Sequence, residues 1–186
     1  LIMLKNIKNR FPVFKKNPNL VFFDTAASAL KVDKMINAIN ECYSYEYANI
    51  HRGIYELSSK LTKKYENSRA LVSNFINSPS PDNIVFTKSA TEGINLVASC
   101  LSKNYLKDKD EILVSKLEHH ANLVPWHLIS KKIKIIAGEI NNKGELNYDD
   151  LVAKINSKTK LIAITHMSNV TGSITSFEKI KTKAKK

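Results

Sequence analysis

The order of apolar runs along the chain predicts an α/β fold, a mostly parallel sheet with flanking helices, and three features carry that expectation. Short runs rich in Ile, Leu and Val alternate with longer stretches whose apolar residues recur at helical spacing. The connections between them are short, as in strand–helix–strand units. No internal repeat and no Gly/Ser or Pro linker breaks the alternation.

Arg10, Phe11, Pro12, Val13 and Phe14 open an entry arm that continues to Asn19. Residues 20–23 are a short apolar strand, closed by Asp24, Thr25, Ala26, Ala27 and Ser28. Residues 32–47 carry Met35, Ile36, Ile39, Cys42 and Tyr43 at helical spacing, and 58–76 repeat the pattern through Leu61, Tyr65, Leu71, Val72 and Phe75. Two prolines and two serines at 78–81, followed by Asp82, end that helix in a turn. Strands are then expected at 83–87, 111–115, 133–137 and 161–166. Helices are expected at 91–101, 122–130 and 147–155 and from Ser176 onward, with a turn at 141–144.

With 43% apolar and 25% charged residues, the chain has globular proportions, not those of a disordered tail. At 186 residues, burial of roughly 70% of the unfolded surface supports a domain without staples. No strictly apolar run exceeds four residues, which excludes a membrane-spanning helix of the ordinary kind. Two cysteines, Cys42 and Cys100, make neither a disulfide scaffold nor a multi-cysteine metal site and fit a reducing compartment. Both fall at helical core spacing, where a buried thiol is inert. The first residue is Leu and no signal-peptide core follows it, so the start is expected to be processed, trimmed or incomplete.

The net charge of +12 suggests a nucleic-acid binder until its distribution is read. Residues 1–19 form a basic arm with Lys5, Lys8, Arg10, Lys15 and Lys16 and no acid, and residues 176–186 set five lysines against Glu178. The body between is close to neutral. Lysine outnumbers arginine 26 to 3, whereas a phosphate-docking surface clusters arginine-rich charge on the folded body. No nucleic-acid partner is expected.

In a parallel α/β sheet, ligands sit beyond the carboxyl ends of the strands. Small residues at 24–28 let a backbone approach something closely, or make a capped turn. At 87–92 the free amides of a helix start, with the Ser89 and Thr91 hydroxyls, form a phosphate cradle, although Ser89 and Glu92 also match a capping box. The glycines of a Walker loop are missing there. Glu118, His119, His120, Ala121 and Asn122 follow a strand. Their imidazoles suit stacking or proton transfer near neutral pH, or they are plain loop residues. No spacing with His51, His127 or His166 supports a metal, and none is expected. Asn169 follows the last full strand and either bonds a ring or substrate group or marks a turn, with Gly172 permitting a sharp reversal. Asn49, Ile50, His51, Arg52 and Gly53 say little alone.

In succession these signals resemble the class V aminotransferase family, and within it the SUF-type cysteine desulfurase and selenocysteine lyase group. The matching strings are FFDTAASAL, NIHRGIYELS, TKSATEGINLVA, SKLEHHANLVPWHLI and LIAITHMSNVTG, spread over nearly the whole chain. The resemblance implies a pyridoxal-phosphate-dependent transferase of fold type I, with residues 20–186 as the N-terminal portion of the cofactor-binding large domain and the small C-terminal domain absent. It implies release of sulfur from L-cysteine, leaving alanine and an enzyme persulfide, in the service of iron–sulfur cluster assembly. By the same resemblance Ala90 and Thr91 meet the cofactor phosphate, and His119 stacks on the pyridine ring and can shuttle a proton. Asn169 bonds the phenolic oxygen near the substrate carboxylate, while Ala27 and His51 line the substrate side. His120 and Glu92 support them. Two departures stand out: Ala90 where the family commonly has Thr, and Lys88 where it commonly has Arg.

The resemblance also puts the aspartate that pairs with the pyridine nitrogen, the Schiff-base lysine and the persulfide cysteine beyond Lys186. Residues 1–186 alone are therefore expected to hold cofactor weakly, to turn over no cysteine and, with apolar surface uncovered, to be poorly soluble. A homodimer and a sulfur-acceptor protein of the SUF system are the implied partners of the intact protein. The compartment stays open between a plastid-type organelle and the cytoplasm. Other readings are a class V enzyme acting on selenocysteine or another amino acid, a non-catalytic basic module, and a degenerate fragment.

Overall fold

Ile112, Leu113 and Val114 are each no more than 1% exposed, because the strand that carries them, β1 (Glu111–Ser115), is covered on both faces. Each such side chain contributes about 2 kcal/mol by leaving water. The computed structural model describes residues 7–129 and 132–184. Lys5 of the basic arm, Ser130 at the end of an expected helix, and Lys185 and Lys186 lie outside the described residues. The chain divides into two compact units, Leu1–Val85 and Phe86–Lys186.

In the second unit, β1 is the middle of a three-stranded parallel sheet between β2 (Lys134–Gly138) and β3 (Thr159–Ala163). Alternation along β1 sends Ile112 and Val114 to one face, where they pack with Ala98, Leu106 and Trp126. Leu113 goes to the other face with Leu146, Leu151 and Ile180. The first face is covered by α4 (Ala90–Asn104) and the short α5 (Val124–His127), the second by α6 (Tyr148–Ala153) and α7 (Glu178–Ala184).

Strand 111–115 forms as expected, and 133–137 shifts by one residue. The third runs from Thr159 to Ala163 instead of 161–166, because the N–H of Thr165 donates to the Glu118 carboxylate instead of continuing a ladder. The helix expected at 122–130 is a 3-10 turn, His120–Asn122, followed by α5. Pro125 explains the late start, since its ring suits the first helical turn and its missing N–H would interrupt a longer one.

The first unit contains α1 (Val13–Lys16), α2 (Asp33–Glu41), which runs into a π turn at Cys42–Glu46, and α3 (Glu56–Phe75). The expected strands at 20–23 and 83–87 are not strands. Among the described residues the sheet consists of β2, β1 and β3 alone, and Phe23 is 93% and Val85 69% exposed. The apolar stripe of the first two expected helices is as read, yet much of it is uncovered: Ile39, Tyr43, Leu71 and Phe75 are all exposed. Cys42 is half-buried, whereas Cys100 is exposed, which corrects its placement in the core. Cys100 lies two residues, about 200° of helical rotation, from buried Ala98.

Candidate functional site

A helix of 15 residues spans about 22 Å and a strand of five about 17 Å, which decides where α4 begins. Its last turn leads through Lys107 and Asp110 into the start of β1. The helix therefore runs antiparallel to the strand, and its first turn lies toward the carboxyl rim of the sheet. There Ser89 is the N-cap: its Oγ accepts from the Glu92 N–H at 3.2 Å, and Glu92 Oε2 accepts from the Lys88 N–H at 2.5 Å. The capping reading of this segment is thus realised, and Glu92 supports the helix start. The amides of Ala90 and Thr91 nevertheless have no acceptor among the described residues. Two N–H groups at the positive end of a long helix suit an anion.

β1 and β3 are adjacent, but the chain leaving β1 enters α5 on one face, while the chain leaving β3 enters α7 on the other. Divergence of this kind opens a crevice at the carboxyl ends of the two strands, where ligands of α/β sheets bind. His119 follows β1 and Asn169 follows β3, so the topology puts both on that rim.

His119 is exposed and its Nδ1 accepts from the Ala121 N–H at 3.1 Å. Since an amide only donates, the neutral imidazole carries its proton on Nε2. His120 meets it edge-on, ring centroids 6.2 Å apart. Asn169 sits at the tip of a reversal closed by the Ser168 N–H donating to Ser173 O and the Thr175 N–H donating to His166 O. Buried Ser168 accepts from the amides of Val170 and Thr171 at 3.2 Å each, and Gly172 completes the turn at φ +71°. The Asn169 side chain is exposed and engages nothing among the described residues.

Ala27 and His51 belong to the first unit. Ala27 lies in the turn after Asp24, whose carbonyl accepts from the N–H groups of Ala27 and Ser28. His51 has φ +69°, an uncommon conformation for a side chain of its size, held by its N–H donating to Thr62 Oγ1 at 2.9 Å. Its Nε2 is already engaged, 2.7 Å from Glu66 Oε1. A groove of about 1000 Å³ between α2 and α3 is lined by Met35, Ile39, Cys42, Tyr43, Leu61 and Tyr65 among others, and neither Ala27 nor His51 lines it. Among the described residues no group of three or more His, Cys, Asp or Glu is placed to hold a metal ion. No described helix is long and apolar enough to cross a membrane.

Glu118 lies within the string SKLEHHANLVPWHLI and has no role among the residues expected at the site from sequence. Its carboxylate accepts from Ser115 Oγ, the Thr165 N–H and Asn122 Nδ2, and Asn122 in turn accepts from Trp126 Nε1. The spacing Glu118, Asn122, Trp126 was a signal within reach; the bond to Thr165 was not.

The sequence and fold of this chain are similar to those of known proteins. Over 185 residues the chain is 40% identical to the cysteine desulfurase SufS of Plasmodium falciparum (isolate 3D7), covering 97% of this chain and 34% of that protein. It is 39% identical over 177 residues to a cysteine desulfurase of Escherichia coli (strain K12), covering 92% and 44%. The apo structure of the cysteine desulfurase from Thermococcus onnurineus NA1 superposes with a TM-score of 0.89 at 34% identity, over 97% of this chain and 44% of that one. The chain thus spans 26% to 44% of the length of such curated relatives. Residues 21–186, which include the sheet, the open helix start and both rim loops, match the model of the aminotransferase class-V family. A match over that much of the sequence, with the same fold beneath it, settles the membership: this chain belongs to the aminotransferase class-V family.

Proposed function

We propose that the chain is the cofactor-holding part of a pyridoxal-phosphate-dependent cysteine desulfurase that takes L-cysteine as substrate. The observation that carries the reading is the pair of unsatisfied amides at Ala90 and Thr91, in the same unit as a rim that bears His119 and Asn169. The residues fit the group. A phosphate needs N–H donors without a competing acceptor, a pyridine ring needs a flat partner, and its phenolic oxygen needs a donor; amides, imidazole and carboxamide supply these in turn.

When bound, pyridoxal phosphate supplies the electron sink for chemistry at the substrate's α-carbon. The chain's own groups bind and orient. Ala90 and Thr91 hold the phosphate through backbone N–H groups, and the absence of a hydroxyl at Ala90 leaves that position to its amide alone. His119 presents a ring whose orientation is fixed through Nδ1, leaving Nε2 as the position that holds or passes a proton. Asn169 offers its side-chain amide from a turn closed by hydrogen bonds to Ser168. Ala27 and His51 are assigned to the substrate side by resemblance alone. Sulfur delivery to an acceptor protein of the SUF system, and action as a homodimer, complete the proposal, supported by the cysteine desulfurase and SufS names of the relatives.

Equilibrium dialysis of the chain against pyridoxal phosphate and against pyridoxal tests the reading. Tighter binding of the phosphorylated form, weakened by His119→Ala and by Asn169→Ala, is the expected result. Equal binding of the two forms, or indifference to both substitutions, overturns it.

A further inference from the structure

We infer that Glu118 is the positioning residue of this site, an ionised carboxylate that ties the loop after β1 to the loop after β3 and thereby fixes where His119 stands. The inference rests on the proposed function for what His119 touches, but not for the network itself.

Three donors converge on Glu118. Ser115 Oγ lies 2.5 Å and the Thr165 amide 2.8 Å from Oε1, and Asn122 Nδ2 lies 2.6 Å from Oε2. The polarity of every bond is determined. The Thr165 and Trp126 N–H groups can only donate. Trp126 Nε1 donates to Asn122 Oδ1 at 3.2 Å, so the other end of that amide is its NH₂ and must donate to Glu118. Ser115 Oγ accepts from the Leu117 N–H at 3.2 Å, which turns its own proton toward the carboxylate. Glu118 is therefore an acceptor on both oxygens, the role of an ionised carboxylate, with bonds stronger than neutral ones. A side-chain amide at position 118 would set one NH₂ against another across the bond to Asn122.

The bracket encloses His119. Glu118 precedes it, and the residue that Glu118 grips on the other oxygen, Asn122, closes the His120–Asn122 turn. The third grip, on Thr165, crosses to β3 just before the reversal that bears Asn169. One half-buried carboxylate thus spans the two loops that flank the crevice, with buried Ser115 at its base.

The decisive variants are Glu118→Gln and the double variant Glu118→Gln with Asn122→Asp. The single change keeps size but sets an NH₂ against a donor. The double change moves the charge from position 118 to position 122, where a carboxylate accepts both from the introduced side-chain amide and from Trp126 and restores every polarity. Trp126 is the one tryptophan, so its indole N–H resonance reports the network directly, while ¹⁵N shifts of the His119 imidazole report which nitrogen carries the proton. In Glu118→Gln the indole resonance moves, the Nε2–H preference of His119 is lost and pyridoxal phosphate affinity falls about tenfold, whereas inorganic phosphate affinity stays within about twofold. The double variant returns all of these toward the parent. Should the single variant not fold, Ser115→Ala removes one leg only and gives smaller shifts in the same direction. Unchanged indole and imidazole signals in Glu118→Gln overturn the inference, as does a folded double variant without recovery. Failure of the parent chain to take up pyridoxal phosphate would instead overturn the proposed function, with the two resonances still deciding the role of Glu118.

Discussion

His51 Nε2 and Glu66 Oε1 lie 2.7 Å apart, and that bond is the main reason the Glu66 carboxyl is held below its ordinary range. Partial desolvation opposes the shift, and the charge of Arg69, whose Nε is 3.2 Å from Oε2, adds to it. A depressed carboxyl contributes stability that is present above its unfolded value and lost as pH falls through its folded one. His51→Ala removes the largest cause, so Glu66 should titrate closer to an ordinary glutamate, read from its ¹³C carboxyl shift. An unmoved midpoint would show that the pair is not populated in solution.

Asp150 makes the same argument in the second unit. Its Oδ2 accepts from Lys154 Nζ and from the Glu139 N–H, each at 2.7 Å, while Lys154 Nζ also donates to Ala137 O at 2.8 Å. The cluster ties α6 to the end of β2. The bond from Lys154 is the first cause, and that from the Glu139 N–H the second, of a carboxyl lowered from its ordinary range. Asp150→Asn should lower the urea midpoint at neutral pH, and the difference from the parent should shrink as pH falls through the folded carboxyl. A gap that persists at acid pH would assign the loss to packing instead of charge.

Gly138 ends β2 against Leu151, which is fully buried. A Cβ at 138 would lie 2.4 Å from Leu151 Cδ1 and 3.3 Å from its Cβ, so the strand end and α6 approach closely only because residue 138 has no side chain. Gly138→Ala should cost about 1–3 kcal/mol in urea unfolding, the usual penalty of an overfilled core. Combined with Leu151→Ala the two losses should fall short of additive, since the second removes what the first collides with. Full additivity would mean that the backbone shifts to relieve the contact.

These same residues show what the sequence could and could not convey. β1 was legible because a strand buried on both faces is a continuous apolar run, and the start of α4 because a capping box is contained within four residues. The segments at 20–23 and 83–87 have the composition of strands, but pairing depends on a partner elsewhere in the chain, which composition does not contain. The stripe through Ile39 and Tyr43 was legible as a pattern, and its exposure was not, for the same reason. Glu118 shows the limit most clearly. Its grip on Asn122 spans four residues and could be read, while its grip on Thr165 spans 47 and exists only once β1 and β3 are neighbours.

Ser89 offers a way to separate the two meanings of the helix start. Its Oγ accepts from the Glu92 N–H, a bond that aspartate makes equally well at an N-cap, so Ser89→Asp should leave unfolding stability near the parent. Ser89→Ala, without an acceptor, should cost about 1 kcal/mol. For a bound phosphate the order reverses. An aspartate beside the Ala90 and Thr91 amides repels a second anion, and two like charges about 4 Å apart near a protein surface oppose each other by about 4 kcal/mol before screening. Pyridoxal phosphate affinity should therefore drop at least about tenfold in Ser89→Asp and change little in Ser89→Ala. Urea denaturation and equilibrium dialysis on the same two variants give the two orders. If stability and affinity rank the variants alike, the first turn of α4 is a cap and nothing more.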